Sequence, residues 1–280
     1  MTNRTVRMTA PTHRTLEGGG FPVRRPAAMG SLMSPFLLLD EMGPVEWGPR
    51  EAIGAPDHPH RGFETVTYLL EGAMQHADSA GNRGDLNPGD VQWMTAGRGV
   101  IHSELPQDDF FETGGLTHGF QIWVNLPSEH KMMEPRYQDI PAHQIPKAVS
   151  EDGKVHAVII AGEALGVSAV IDTMIPIQLI HIKMEPNSSF THSIQSDLNV
   201  MTYVFGGSLS IEGKTVEDGQ LGLLTQGGKI NFATGQDGCE FLLMGGPELN
   251  EPIARYGPFV MNTREEIHQA VIDFQNGTLA

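Results

Sequence analysis

Two pairs of metal-binding side chains, each spaced by two, constrain this chain more than any other feature. His58-Pro59-His60 carries the first pair and His102-Ser103-Glu104 the second. On an extended strand, residues i and i+2 project from one face about 6.6 Å apart. His58 and His60 then point one way, and so do His102 and Glu104. If the two segments lie on neighbouring strands, three imidazoles and a carboxylate converge into a metal site. A lone His-x-His is ordinarily a pair of surface histidines. A second ligand pair forty-odd residues on, with turn-rich sequence between, makes coordination the better reading. Pro59 cannot donate to a central ladder and so implies a strand start or a sheet edge. Glu64 competes for the role of the carboxylate, because by parity it shares the face of His58 and His60.

The surroundings of these pairs read as strand and turn. Thr65 to Leu70 is rich in β-branched and aromatic residues and stops at Glu71-Gly72, and Met74 to Asp78 runs back. Asn87-Pro88-Gly89-Asp90 turns into the strand Val91-Gln92-Trp93-Met94, and the glycines of Ala96 to Gly99 let the backbone bend where His102 is delivered. Gly119 to Leu126 alternates and ends at Pro127. Upstream, Phe36 to Met42 is a short apolar run expected to end at Gly43-Pro44. The first thirty residues are locally basic, with Arg4, Arg7, Arg14, Arg24 and Arg25. They read as a solvated first strand, with the mouth of an anion or substrate site as the sharper alternative.

A length of 280 residues suits two domains at about 150 residues each. The 33 glycines and 19 prolines favour many strands and turns over long helices. Residues 128–150 are polar and proline-punctuated and read as a linker or crossover, after which the strand pattern resumes at Val155. Thr67-Tyr68-Leu69-Leu70-Glu71-Gly72 then echoes Thr202-Tyr203-Val204-Phe205-Gly206-Gly207, which two copies of one β-barrel explain economically. The second copy lacks the ligand pairs: His192 is its only histidine near the corresponding stretch, and none lies between Gly219 and Gly246. The expected domains are 1–135 with the metal, a linker at 136–150, and 151–280 without metal ligands. Apolar residues at 267, 270, 271 and 274 mark one face of a closing helix capped by Asn262 or Thr263 and ending near Asn276-Gly277.

Composition narrows the function classes. A net charge of −16 opposes direct binding to nucleic acid, which rests on Lys and Arg neutralising phosphates. The single cysteine, Cys239, excludes an intrachain disulfide framework and a cysteine zinc site, and reads as a small buried hydrophobe. No apolar run reaches transmembrane length and the N-terminus lacks a signal-peptide core. A reduced, cytoplasmic protein with no membrane contact is the expectation.

The segments His58-Pro59-His60-Arg61-Gly62-Phe63-Glu64-Thr65-Val66 and Gly89 to Glu104 resemble the two signature blocks of the pirin family within the cupin superfamily. Gln121 to Pro127 and the Met261-Asn262-Thr263 helix start are similar as well. The resemblance spans nearly the whole chain and is strongest over residues 57–127. It implies an all-β fold of two stacked cupin barrels (double-stranded β-helix, jelly-roll-like) with a C-terminal helix. It also implies a mononuclear non-haem iron, Fe2+, in the first barrel, held by His58, His60, His102 and Glu104. Glu64 sits at the His-x-His-x3-Glu position that many cupins use, but the resemblance favours Glu104 and leaves Glu64 beside the site or in a wall salt bridge.

Three imidazoles and a carboxylate suit a divalent first-row metal, with Zn, Mn, Cu, Ni and Co as alternatives to iron. The implied activity is that of a quercetin 2,3-dioxygenase: a flavonol and O2 are the substrates, the heterocycle opens and carbon monoxide leaves. Glu104 would serve as general base toward the flavonol hydroxyl, and Phe63, Trp93, Phe120 and Trp123 are the candidates to flank the aromatic substrate. Two rivals accompany this reading. One is an iron-dependent regulatory protein that binds a transcription factor or metabolic enzyme; the other is a closed structural zinc site.

Overall fold

Short β-branched and aromatic runs, cut by glycine and proline, form antiparallel strands along most of the computed structural model, which describes residues 2–280. The chain divides into two compact units that interleave in sequence. One comprises Arg14–Arg25, Phe36–Ala142 and Leu249–Ala280; the other comprises Met1–His13, Pro26–Pro35 and His143–Glu248. This division differs from the expected sequential one because the last thirty-odd residues pack with the histidine-bearing unit rather than with the strands that precede them.

The histidine-bearing unit holds two main antiparallel sheets and a small hairpin, Ala254–Tyr256/Phe259–Met261. The larger runs in the order Arg136–Ile140, Val91–Thr95, Phe63–Glu71, Gly115–Asn125, Phe36–Trp47, Phe21–Pro26. The smaller has four strands, Ala55–His60, Val100–Pro106, Met74–Asp78 and Arg83–Leu86. Pro59 therefore lies on an edge strand, where its missing N–H costs no ladder bond. Two expectations shift. The Phe36–Trp47 strand does not end at Gly43-Pro44: Val45, Glu46 and Trp47 go on pairing with Thr117, Leu116 and Gly115 beyond an irregularity in register. Residues 136–140, placed in the linker by their polarity, add a strand against Val91–Thr95.

Cross-strand partners share a face, so the register of the larger sheet sorts its side chains. Thr67, Gln92, Gln121 and Asp40 form one row across neighbouring strands, and Val66, Trp93, Ile122 and Leu39 form the next on the opposite face. The C-terminal segment closes this unit. Its helix, Arg264–Gln275, begins with a capping box in which Thr263 accepts from the Glu266 N–H and Glu266 accepts from the Thr263 N–H. Ala270 and Leu279 pack with Phe259 and Ile101, beside His102 in sequence. The buried Arg61 guanidinium donates to Asp273 at 2.6 Å and ties the helix to the end of the His58-Pro59-His60 strand.

The other unit is a second antiparallel assembly around Val155, Ile159, Ile180, Ile182, Leu209, Phe232, Phe241 and Leu243. The repeated hexapeptides occupy like places: Thr67 and Thr202 both sit on strands paired on two sides. Cys239 is buried there and its thiol is pushed up to about 12 by burial, which suits an inert packing residue. Among the described residues, no helix is long and apolar enough to cross a membrane.

Candidate metal centre

The two ligand segments are direct neighbours in the smaller sheet, with His58 paired to His102 and His60 to Val100. Their rings gather closely: centroids lie 4.7 Å apart for His58–His60, 4.4 Å for His58–His102 and 5.0 Å for His60–His102. One nitrogen from each of the three can be chosen so that all lie within 4.8 Å of one another. His60 and His102 are buried, whereas His58 is half-exposed.

The electronic state of the rings fits a cation. Nδ1 of His60 and both nitrogens of His102 are buried without a hydrogen-bond partner, an arrangement a fold seldom retains unless something binds there. The Pro56 carbonyl lies 2.8 Å from Nδ1 of His58 and fixes the proton on that nitrogen, leaving the Nε2 lone pair free. Burial lowers His102 to about 4. Burial, followed by the neighbouring His102 and His58, holds His60 well below the usual imidazole range. Neutral imidazole is the form that binds metals, so these residues fit a divalent ion.

Glu104 stands outside the tight three-histidine cluster, on the same strand two residues beyond His102, with Ala55 as its partner. Its Oε1 lies 2.8 Å from the Thr67 hydroxyl, which is also 2.9 Å from Gln121. A hydroxyl has one proton to give. If Glu104 accepts it, the Gln121 amide presents its NH2 to the Thr67 oxygen. His76 faces Glu104 from the adjacent strand, with its ring against Tyr137.

Glu64 is not on the histidine face. Parity fails between His60 and Glu64 because the chain turns at Gly62, where φ is +89°, and passes into the larger sheet. A side chain at Gly62 would run into the Val260 carbonyl, so only glycine fits this corner. Glu64 is fully buried on the opposite face and accepts from the Thr95 hydroxyl at 2.6 Å.

A cavity of about 510 Å³ opens against the cluster, lined by His58, His60 and Glu104 together with Leu38, Asp40, Met42, Gln121 and Trp123 of the larger sheet. Of the four aromatic candidates, Trp123 lines it. Phe63 lies behind, 4.4 Å from Trp123 and 5.1 Å from His60 between ring centres. Trp93 and Phe120 project from the other face, in register with Val66 and Tyr68, and are completely buried. Strand register makes this division, and composition carries no trace of it.

The cavity also includes residues that motif spacing does not reveal. Arg25 pairs with Asp40 through two bonds of 2.6 and 2.5 Å and with Glu17 at 2.6 Å. Arg24 pairs with Glu41 on the opposite face. Arg255, Gly257 and Pro258 arrive from the hairpin Ala254–Tyr256/Phe259–Met261. Alternation along Gly115–Asn125 could have indicated Gln121; nothing near Arg255 in sequence could.

Residues 20–124 match the pirin family and residues 179–280 match the pirin C-terminal cupin domain. Human pirin is 40% identical over 98% of this chain and 93% of its own length. The chain belongs to the pirin family. A pirin-like protein of tomato, Solanum lycopersicum, is 41% identical over 93% of this chain and 88% of its own. Among solved structures, a quercetin 2,3-dioxygenase from Acinetobacter baumannii superimposes with a TM-score of 0.95 at 36% identity, covering 100% of this chain and 99% of that one. The two matched regions are the pirin family's two cupin domains; the second includes the last thirty-odd residues, which pack with the histidine-bearing unit.

Proposed function

We propose that this pirin-family chain is a metal-dependent dioxygenase that cleaves a flavonol such as quercetin with O2 at a mononuclear non-haem iron. His58, His60, His102 and Glu104 would hold the ion. One observation carries the reading: three mutually close imidazoles, two of them buried and held neutral, lie at a cavity with largely apolar walls that His58 and His60 line. Its volume falls in the range of small-molecule sites, about 300–1,000 Å³. The full-length likeness to a quercetin 2,3-dioxygenase supplies the substrate class.

When bound, the metal supplies Lewis acidity toward a phenolic oxygen and redox access to O2. The protein's own groups do the rest. Glu104, oriented by Thr67 and Gln121, takes the proton of the flavonol hydroxyl as general base. Trp123, backed by Phe63, walls the cavity, while Leu38, Met42 and Met74 keep water from the reacting carbons. The net reaction consumes one O2, opens the heterocycle and releases carbon monoxide.

The test is metal analysis after anaerobic purification, followed by loss of the flavonol's near-ultraviolet band under O2. Iron-loaded protein should bleach quercetin and His58→Ala should not. Full occupancy by zinc alone, an iron-loaded protein that leaves quercetin intact, or a mutant that turns over equally well would each refute the assignment.

A further inference from the structure

The cavity contains two arginines in different states. Arg25 is engaged by Asp40 and Glu17, which satisfy its charge and its donors. Arg255 is exposed and has its guanidinium carbon over the Trp123 ring, 4.7 Å from the ring centre. Among the described residues, no carboxylate or carbonyl accepts a hydrogen bond from Arg255. Its edge donors thus remain available at a wall that a ligand must pass.

The residue is also held in place. It pairs with Val260 in the hairpin, and Val260 is fully buried. The Val260 carbonyl accepts from Lys131 at 3.0 Å and its N–H donates to the Arg61 carbonyl at 3.0 Å. The hairpin carrying Arg255 is thereby fixed to the strand that carries His60. Trp123 lies 5.4 Å from the His60 ring, so the guanidinium carbon is no more than about 10 Å from that ring. An aromatic of one or two rings fits within that reach.

We propose that Arg255 is a specificity-determining residue, and that the cavity takes an aromatic substrate with an oxyanion at the end away from the oxygen directed at the histidines. A carboxylate is the best match, because a guanidinium edge offers it two parallel N–H donors. The anion meets Arg255 beside Trp123. Asp40 and Glu17 also act on Arg255, but each is paired with Arg25, which offsets its charge. The inference rests on the cavity being the substrate site but not on turnover.

The probes are 6-hydroxy-2-naphthoate and its neutral amide, which share the hydroxyl and ring and differ only in charge at the far end. Their dissociation constants are measured by calorimetry on metal-loaded wild type, Arg255→Gln and Arg255→Lys. Wild type should bind the carboxylate about tenfold more tightly than the amide. Arg255→Gln should bring the two within about twofold by weakening only the carboxylate, and Arg255→Lys should keep part of the preference. Equal affinities in wild type, or a preference intact in Arg255→Gln, overturns the proposal. A protein that shows this preference yet leaves quercetin uncleaved refutes the dioxygenase reading alone.

Discussion

Replacing Lys131 by methionine should separate the two opposing effects of a buried ammonium. Lys131 is almost fully buried and its Nζ donates to the Gly62 carbonyl and Asn125 Oδ1, both at 2.7 Å, and to the Val260 carbonyl at 3.0 Å. Burial lowers its pKa from 10.5 to about 8. At about 1.4 kcal/mol per unit of pKa, burying the charge weakens the fold by roughly 3 kcal/mol while both states are protonated. Methionine escapes that penalty but leaves three buried acceptors without a donor, at about 1–3 kcal/mol each. The net expectation at pH 7 is a loss of a few kcal/mol. Between pH 8 and 10.5 the unfolded chain keeps a proton that the native lysine has released, so native stability rises with pH through this group. Lys131→Met lacks that rise. Urea unfolding of both metal-loaded proteins from pH 7 to 10.5 should show the wild type's advantage growing by up to about 3 kcal/mol, other titrations cancelling in the difference. A gap that stays constant or narrows as pH rises refutes the reasoning.

Two further substitutions probe other layers. Thr67→Val removes the hydroxyl that orients Glu104 while filling the same space; flavonol turnover should fall by about tenfold or more. Unchanged turnover at full metal content would show that Thr67 does not position the carboxylate. In the other unit, burial alone lowers His192 to about 4. The unfolded chain then binds the extra proton between about pH 6.5 and 4, and stability is lost as pH falls through that window. His192→Leu should flatten this acid limb in denaturant titrations, and a limb identical to wild type would contradict it.

The spacing in His58-Pro59-His60 and His102-Ser103-Glu104 is legible in the sequence alone because it is a local property: a strand fixes the direction of i and i+2. The same holds for Pro59 at an edge, the helix capped at Thr263 and the paired hexapeptides of the two cupin domains. Glu64 shows where the local rule stops. Counting by twos from His60 puts it beside the three histidines, yet one positive-φ glycine sends the chain into another sheet and turns Glu64 to the far face. Trp93 and Phe120 were inseparable from Trp123 by residue type, and cross-strand register alone sorted them.

The sequence by itself determined that three histidines could meet, that the chain is mainly strand, and that the paired histidines lie in one half alone. Tertiary structure decided which walls enclose the histidines, that Glu104 meets Thr67, and that Arg255, some 150 residues beyond them, stands over Trp123. The physical reason is range. Side-chain direction along a strand follows from backbone geometry over a few residues, whereas a cavity is made by segments that become neighbours only when the sheets close.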